Sequence, residues 1–348
     1  MKRNTIHKDF QLNGTSFSSI DDLLAYAKKI SQPAFLFLSD WFSTSDVLKV
    51  ATSGSTEKPK LIALKKEFMV NSALATGTYF DLKERTSALM CLPVDYIAGK
   101  MMLVRALVLG WHIDVVLPTS NPLKELENVY DFSAMVPLQL QNSLSELFQI
   151  KKLIVGGGQV SKELQVALQN VSTHVYATYG MTETITHIAV QPLNKSQSLK
   201  GVYQILPNIV ISQDSRNCLV INAPEVSENT INTNDVIRII SNTEFEWLGR
   251  IDNVINSGGI KLHPEQIEQK LSTIINQRFF VAGISDKKLG EKLIMIVEGN
   301  KQNSIFEKIK QLNSLSKFEI PKEIYFLPKF VETETKKIQR KKTLDLLY

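Results

Sequence analysis

Residues 51–60 read Ala51-Thr52-Ser53-Gly54-Ser55-Thr56-Glu57-Lys58-Pro59-Lys60 and follow the apolar run Val47-Leu48-Lys49-Val50. The apolar run predicts a buried strand, and the hydroxyl-rich segment predicts a loop leaving it. Such a loop offers backbone N–H groups and hydroxyls to phosphate oxygens, and its lysines add positive charge. It lacks the closing Gly-Lys-Ser/Thr of a Walker loop. On its own, the segment fits a phosphate-binding loop or a polar surface turn.

Strand-like and helix-like patterns alternate after this loop. Short apolar runs that predict strands occupy residues 88–92, 113–117, 152–155 and 174–178. Helical patterns between them occupy residues 66–77, 97–109, 138–148 and 161–170, and an earlier one occupies 21–30. Ser161 is the expected N-cap of the helix that it begins. This alternation predicts a largely parallel α/β sheet.

The pattern changes after Glu183. Short β-rich runs separated by Asn, Asp and Ser occupy residues 209–212, 218–222, 236–240 and 244–248, and they predict an antiparallel, barrel-like section. The remainder predicts an α+β unit, with helices at 264–275 and near 305–312 and strands near 279–284 and 293–297. We therefore predict an α/β protein with a large domain over residues 1–250 and a small one over residues 251–348.

Size and composition indicate an ordinary globular protein. The chain has 348 residues, of which 43% are hydrophobic and 22% charged, enough for about two domains and a sizeable core. The net charge of +5 suits anionic small molecules, but it is too diffuse to indicate nucleic acid. Five scattered histidines show no metal-ligand spacing.

The cysteines and the apolar segments bear on location. Cys91 and Cys218 form no paired motif, which predicts packed free thiols in a reducing compartment. The N-terminus is polar and does not resemble a signal peptide. The most apolar stretch, from Met101 to Leu117, is interrupted by charged and polar residues, so we expect no membrane span. These features favour a cytoplasmic protein.

Five further motifs follow the hydroxyl-rich loop. They are Tyr179-Gly180-Met181-Thr182-Glu183, Thr233-Asn234-Asp235, Gly249-Arg250-Ile251-Asp252, Gly258-Gly259-Ile260-Lys261 with Glu265 and Glu268, and Thr335-Lys336-Lys337-Ile338-Gln339-Arg340. As a set, from about Val47 to the C-terminus, they resemble the adenylate-forming superfamily of acyl-CoA ligases, adenylation domains and luciferases. The resemblance implies an N-terminal AMP-binding domain, a mobile C-terminal domain that carries a catalytic lysine, and use of ATP, Mg²⁺ and coenzyme A.

The resemblance also implies an ATP site. Residues expected to grip the β- and γ-phosphates are Thr52, Ser53, Gly54, Ser55, Thr56 and Lys60. Tyr179 and Gly180 would lie at the adenine on one side, and Gly156 and Gly157 on the other. Thr182 is expected at the α-phosphate and Glu183 at Mg²⁺. Asp235 is expected at the ribose hydroxyls, and Arg250 at the ribose or phosphate. Two alternatives remain open, since the glycines also fit a tight turn and Arg250 a surface salt bridge.

Three positions depart from the superfamily pattern, because each carries another residue where glycine is usual. Glu57 removes backbone freedom from the phosphate loop and adds negative charge beside a triphosphate. Asn234 tolerates the left-handed region and is a milder change. Lys336 precedes the lysine that matches the catalytic one.

Two half-reactions follow from the resemblance. Lys337 is the expected adenylation catalyst, bridging the substrate carboxylate and the α-phosphate. Asp252 is the expected hinge of the C-terminal domain. After rotation, Gly258 and Gly259 would shape a tunnel for the pantetheine arm of coenzyme A, and a hairpin turn is compatible with that role.

The acid substrate is predicted from a narrower resemblance. The compact length, the Ala98-Gly99-Lys100-Met101-Met102 stretch and Arg105 resemble the short o-succinylbenzoate–CoA ligases of menaquinone biosynthesis. Such a substrate carries a second carboxylate, for which Lys100 and Arg105 are candidate cations. Another aryl- or acyl-CoA ligase, and a nucleotide-binding homologue that has lost adenylation, are the alternatives.

Overall fold

The computed structural model describes residues 5–51, 61–195, 201–302, 304–333 and 338–347. Predictions for Thr52–Lys60 and for Lys336 and Lys337 fall outside these ranges. The helices are α1 (Ile20–Ile30), α2 (Gln32–Phe42), α3 (Lys66–Tyr79), α4 (Ile97–Leu109), α5 (Pro137–Asn142), α6 (Lys162–Ala167), α7 (Pro264–Leu271), α8 (Ser304–Lys310) and α9 (Arg340–Leu344).

Strands form three sheets. The first ten strands are β1 (Gln11–Leu12), β2 (Val47–Ala51), β3 (Leu61–Lys65), β4 (Ser87–Met90), β5 (His112–Val115), β6 (Tyr130–Met135), β7 (Ile150–Val155), β8 (His174–Gly180), β9 (His187–Pro192) and β10 (Val202–Ile205). The others are β11 (Val210–Gln213), β12 (Cys218–Asn222), β13 (Ile231–Ser241), β14 (Glu244–Arg250), β15 (Ile255–Ser257), β16 (Ile260–Leu262), β17 (Phe279–Asp286), β18 (Gly290–Glu298) and β19 (Glu323–Leu327).

The largest sheet combines a parallel half with an antiparallel half. Its order is β1-β5-β4-β6-β7-β8-β9-β10-β14-β13-β12-β11. Pairing is parallel from β1 to β8 and antiparallel from β8 onward. The predicted α/β class with a parallel sheet is confirmed, and β8 is the strand at which the direction changes.

The antiparallel half curls on itself. Between β8 and β13 lie four strand spacings, or roughly 19 Å in a flat sheet. The Tyr179 hydroxyl of β8 nevertheless donates to the Asp235 carboxylate of β13 at 2.7 Å. Phe245 packs inside the curve, 5.3 Å from the Tyr179 ring and 5.5 Å from the Tyr203 ring. The section is therefore barrel-like as predicted, although it continues the large sheet and is not a separate barrel.

Local signals set several element ends. Helix α4 has the predicted limits, and it ends at Gly110 with φ +70°, a left-handed cap that suits glycine. The Ser161 hydroxyl accepts from the Leu164 N–H at 3.2 Å, as an N-cap should. The single helix predicted over 138–148 is wrong, because α5 ends at Asn142 and a separate 3₁₀ turn covers Leu147–Gln149.

A small antiparallel sheet of β2 and β3 borders the predicted phosphate loop. The two strands pair from Val47 with Lys65 to Ala51 with Leu61. The hydroxyl-rich segment therefore connects the end of β2 to the start of β3. Leu48 and Val50 are buried and Val47 is exposed. The predicted buried strand is therefore buried on one face only, and its partner strand was not predicted.

Residues after Arg250 build a second unit. Strands β17, β18 and β19 form its centre with the β15–β16 hairpin at one end, and α7 packs against β17. Buried apolar clusters of this unit use residues from Ile255 onward, and those of the large unit end at Phe245. Separate apolar clusters therefore lie on either side of residue 250, and the domain boundary there stays a prediction.

The two cysteines are free and buried, as predicted. Burial raises the pKa of the Cys91 thiol to about 12, so it stays protonated at neutral pH. No helix in the described ranges has the length and apolar character needed to cross a membrane.

Gly99 allows α4 to start beside the preceding loop. A Cβ there would lie 2.2 Å from the carbonyl oxygen of Pro93, which is backbone that cannot yield easily. We expect Gly99→Ala to lower the free energy of unfolding by about 2 kcal/mol or more, measured by urea denaturation.

Gly77→Ala is the matched control. Its Cβ would meet only the flexible tip of Leu109 at 2.9 Å, and alanine favours a helix interior by about 1 kcal/mol over glycine. Equal losses in the two variants would contradict the steric role of Gly99.

Candidate functional site

The site lies where the sheet changes direction. Strands β7 and β8 are parallel neighbours, and their carboxyl ends carry Gly156 and Tyr179. The Thr178 hydroxyl donates to the Val155 carbonyl at 3.1 Å, and a Cβ on Gly156 would lie 2.7 Å from that hydroxyl oxygen. Ligands of α/β sheets bind outside the carboxyl ends of the parallel strands, which is where Gly156 and Tyr179 lie.

Asp235 is a buried carboxylate with two hydrogen-bond donors. It is 7% exposed. Its Oδ2 accepts from the Tyr179 hydroxyl at 2.7 Å, and its Oδ1 accepts from the Trp247 indole N–H at 3.2 Å. Burial and the Asp235 charge raise the pKa of Tyr179, so the phenol remains a donor.

Arg250 lies beside this carboxylate. Its Nη1 is 3.8 Å from Asp235 Oδ1, and its Nη2 donates to Asp252 Oδ2 at 3.2 Å. Asn234 also donates from Nδ2 to Asp252, at 3.3 Å. The surface salt bridge left open by the sequence is therefore present, and Arg250 is near Asp235 as well.

Thr182 and Glu183 occupy a tight, strained turn after β8. A 3₁₀ turn covers Thr182–Thr184, and Ile185 follows with φ +66° and ψ −64°. The Thr186 N–H donates to the Thr184 carbonyl at 2.8 Å, which makes Ile185 the centre of a γ-turn. Such a conformation is costly for a β-branched residue and is typical of functional sites. Glu183 is exposed, and its carboxylate is a hard oxygen ligand that suits Mg²⁺.

Gly180 allows β9 to pass close to this turn. A Cβ on Gly180 would lie 2.2 Å from the Thr186 carbonyl oxygen and 2.5 Å from the His187 Cα. The motif glycine is therefore required by the close approach of two strands.

Arg105 is a fully buried cation. It lies on α4 and is 2% exposed. Its polar contacts are the hydroxyls of Thr76, at 3.2 Å, and Thr186, at 3.3 Å, and the Met102 sulfur at 3.7 Å. No carboxylate pairs with it among the described residues, and burial lowers its pKa to about 10. A guanidinium held this way lacks the anionic partner that burial ordinarily requires.

Lys100, the other candidate cation, is used within the fold. Its ammonium donates to the carbonyls of Val94, at 2.5 Å, and Asp95, at 3.0 Å. Burial lowers its pKa. It fixes the loop before α4, and Arg105 is therefore the better placed of the two for an anionic ligand.

His187 was missed by the sequence analysis. It is buried on β9 next to Thr186, and its Nε2 has no hydrogen-bond partner among the described residues. Burial and then the charge of Arg105 lower its pKa to about 3. The sequence gives no sign of its position, because a lone histidine has no metal-ligand spacing.

The C-terminal motifs form a hairpin and an internal anchor. Gly258 and Gly259 have φ +59° and +80° and connect β15 to β16, so the two-residue hairpin turn is confirmed. Asp252 lies in a 3₁₀ turn between the two units. Three residues beyond Lys337, Arg340 donates to both oxygens of the half-buried Glu268, at 2.6 and 2.7 Å.

Comparisons with known proteins agree with this geometry. A family model described as AMP-binding enzyme matches residues 50–215. A solved acyl-CoA synthetase (AMP-forming)/AMP-acid ligase II-like protein from Dyadobacter fermentans is 38% identical, and the match covers 91% of this chain and 94% of that one with a TM-score of 0.61. The chain belongs to the AMP-binding enzyme family. The predicted adenylate-forming superfamily is thereby confirmed.

More distant relatives of this AMP-binding enzyme have names that specify a substrate. A 2-succinylbenzoate–CoA ligase from Bacillus cytotoxicus is 24% identical over 89% of this chain and 72% of its own length. One from Enterococcus faecalis is 23% identical over 94% of this chain and 75% of its own. The fold also matches o-succinylbenzoate coenzyme A synthetase from Bacillus subtilis in complex with ATP and magnesium ion, with 18% identity over 94% of this chain and 82% of that one and a TM-score of 0.75.

Two of the open cavities in the described part of the chain, of about 310 and 380 Å³, lie at the junction of the two units. Both are lined by Arg238, Leu248, Lys261 and His263. Neither is lined by Tyr179 or Asp235, so these grooves are distinct from the predicted nucleotide site.

Most of the predicted nucleotide residues in the described ranges lie near one another. Gly156 lies beside the Tyr179 strand, Tyr179 and Asp235 share a hydrogen bond, and Arg250 lies 3.8 Å from Asp235. Thr182 and Glu183 follow directly in the chain after β8. The sequence analysis did not predict that Trp247 contacts Asp235, because the sequence around Trp247 does not indicate which face of the strand its indole occupies.

His187 gives the fold a defined dependence on pH. Its folded pKa of about 3 is below the ordinary 6.5, so the unfolded chain binds the proton more tightly. The stability it contributes is full above pH 6.5 and decreases as pH falls toward 3. Between pH 7 and pH 5 we expect a loss of about 2 kcal/mol from this group.

His187→Gln replaces the titrating imidazole with a neutral amide of similar size. Urea denaturation at pH 7 and pH 5 should show a smaller loss in the variant than in the wild type. Parallel pH slopes in the two proteins would contradict the assignment.

Proposed function

We propose that the chain is an ATP-dependent acid–thiol ligase that activates 2-succinylbenzoate as an acyl-adenylate and transfers it to coenzyme A. The observation that carries the proposal is that Tyr179, Asp235 and Arg250 lie together at β8, where the sheet of this AMP-binding fold changes from parallel to antiparallel pairing. The names of the relatives support the choice of acid.

The adenylation step joins two anions. A carboxylate oxygen of the acid attacks the α-phosphorus of ATP, and pyrophosphate leaves with the electrons of the broken P–O bond. Positive charge and directed donors around the phosphorus lower the barrier of such a step. We assign Lys337 and Thr182 to the reacting groups and the 52–60 loop to the β- and γ-phosphates.

The nucleoside end is held by residues in the described ranges. The two oxygens of the Asp235 carboxylate can each accept a hydrogen bond from a ribose hydroxyl. We assign the Tyr179 ring to a face of adenine, and Gly156 and Gly157, which follow the neighbouring strand β7, to its other side. Mg²⁺ held by the exposed Glu183 would neutralise phosphate charge.

The choice of acid is supported by Arg105. Among the described residues, the buried Arg105 guanidinium has hydroxyl and thioether contacts but no carboxylate, and a carboxylate that enters with the ligand would stabilise it. 2-Succinylbenzoate has one carboxylate to react and another to pair with this cation. A benzoate-type acid lacks the second group, and this observation favours the dicarboxylate.

The thioester step uses the C-terminal unit. We propose that it rotates about Asp252, which removes Lys337 from the site and brings in the hairpin turn at Gly258 and Gly259. The coenzyme A thiolate then attacks the acyl carbonyl carbon, and AMP leaves. Residues 1–250 and 251–348 are the two domains of this scheme. The buried free cysteines and the use of ATP fit a cytoplasmic location.

Pyrophosphate release tests the proposal. We expect release that requires ATP, Mg²⁺ and 2-succinylbenzoate together. Lys337→Ala should abolish adenylate formation and leave thioester formation from supplied acyl-adenylate, because only the first step needs that cation. No release with any carboxylic acid would favour a homologue without adenylation, and release with benzoate alone would favour another aryl-CoA ligase. Equal loss of both steps would contradict the role of Lys337.

Arg105→Met tests the choice of acid. Methionine fills a similar volume without charge, and losing a buried charge pair costs about 2 to 5 kcal/mol. We expect kcat/KM for 2-succinylbenzoate to fall about 30-fold or more, and that for benzoate, where measurable, to change little.

Lys100→Met is the matched control for Arg105. Its ammonium serves the Val94 and Asp95 carbonyls, so the preference for 2-succinylbenzoate over benzoate should persist. If Lys100→Met abolishes the preference and Arg105→Met keeps it, the assignment of the cation is reversed.

A further inference from the structure

We propose that Trp247 is a positioning residue for the nucleotide: its indole N–H orients the Asp235 carboxylate that receives the ribose. The inference rests on the proposed function, because it concerns how the ribose of ATP is bound. It adds a residue that none of the superfamily motifs in this chain includes.

The geometry around Asp235 gives the first argument. The terminal torsion of an aspartate is broad, so a carboxylate without directed donors samples many orientations. Here the Tyr179 hydroxyl fixes Oδ2 at 2.7 Å and the Trp247 N–H fixes Oδ1 at 3.2 Å. Each carboxylate oxygen has a second lone pair, so both can still accept from ribose hydroxyls. Two donors therefore set the plane of the carboxylate before the nucleotide arrives.

A bulge in β14 gives the second argument. Asp235 pairs with Arg250 and Val236 with Gly249, but Ile237 pairs with Trp247, so β14 has one extra residue at Leu248. Side chains alternate along a strand, and without the bulge Trp247 would face away from Asp235. Bulges near active sites commonly re-aim a side chain in this way.

The bulge is itself supported by the C-terminal unit. Gly249 has φ +144°, and a Cβ there would lie 2.2 Å from Glu265 Oε2 on α7. The Gln266 amide of the same helix donates to the Trp247 carbonyl at 2.9 Å. The backbone of Trp247 is therefore fixed from one side while its indole serves Asp235 on the other.

Trp247→Phe tests the inference, because it keeps a ring and removes the N–H. Binding of AMP to the full chain is measured by titration calorimetry. We expect an increase in Kd of about tenfold or more, the size of one hydrogen bond to a charged group. We also expect the wild type to prefer AMP over 2′-deoxy-AMP, and the variant to lose much of that preference. A merely structural role would not change this ratio.

Trp111→Phe is the matched control. Trp111 is fully buried, and its indole N–H has no hydrogen-bond partner within the described ranges, so removing it should leave both Kd values unchanged. If Trp247→Phe does not fold, benzothienylalanine at position 247 replaces only the N–H by sulfur. Unchanged AMP affinity and ribose preference in the Trp247 variant would overturn the inference and leave the proposed function intact. A wild type that binds neither AMP nor ATP would overturn both.

Discussion

The hydrogen bonds to the Asp235 carboxylate join the two halves of the large sheet. A carboxylate this buried must be satisfied by donors, and they come from β8 and β14. Tyr179 can reach it only because the antiparallel half curls through four strand spacings. The aromatic rings of Tyr203 and Phe245 fill the inside of that curve. The packing that curls the sheet thus also brings together Tyr179 and Asp235, two residues of the proposed nucleotide site.

The site also contains features that oppose stability. Among the residues that the structure describes, buried Arg105 has no carboxylate partner and the buried His187 Nε2 has no hydrogen-bond partner, and Ile185 is held in a γ-turn. Each of these is unfavourable alone, and the three lie on or beside the segment from Thr182 to His187. The Thr184 hydroxyl donates to the Thr186 carbonyl and so fixes the turn between them. A region that concentrates strain and an unpaired charge is where a ligand provides most stabilisation.

The sequence was most informative where local signals agree with the fold. The limits of α4 were predictable because a left-handed glycine ends it, and the parallel class followed from the alternation of patterns. Strand β6 was missed because its polar Asp131 and Ser133 obscure the apolar pattern. In the fold both side chains hydrogen-bond to β4. The Asp131 carboxylate accepts from the Ser87 N–H, and the Ser133 hydroxyl donates to the Leu89 carbonyl. The contact of Asp235 with Trp247 depends on a one-residue bulge and on curling between distant strands, which no local pattern encodes.

The same bulge links the nucleotide site to the C-terminal unit. Trp247 contributes its indole to Asp235 and its carbonyl to Gln266, so one residue touches both. Glu265 bonds to Asn253 through Oε1, but its buried Oε2 has no partner among the described residues. An unpaired buried oxygen makes this docking less favourable than a fully satisfied one. The proposed rotation about Asp252 would break the hydrogen bond from Gln266 to the Trp247 carbonyl. The structure thereby places a carboxylate oriented by two donors next to a contact with the C-terminal unit, the arrangement that the proposed two-conformation reaction would use.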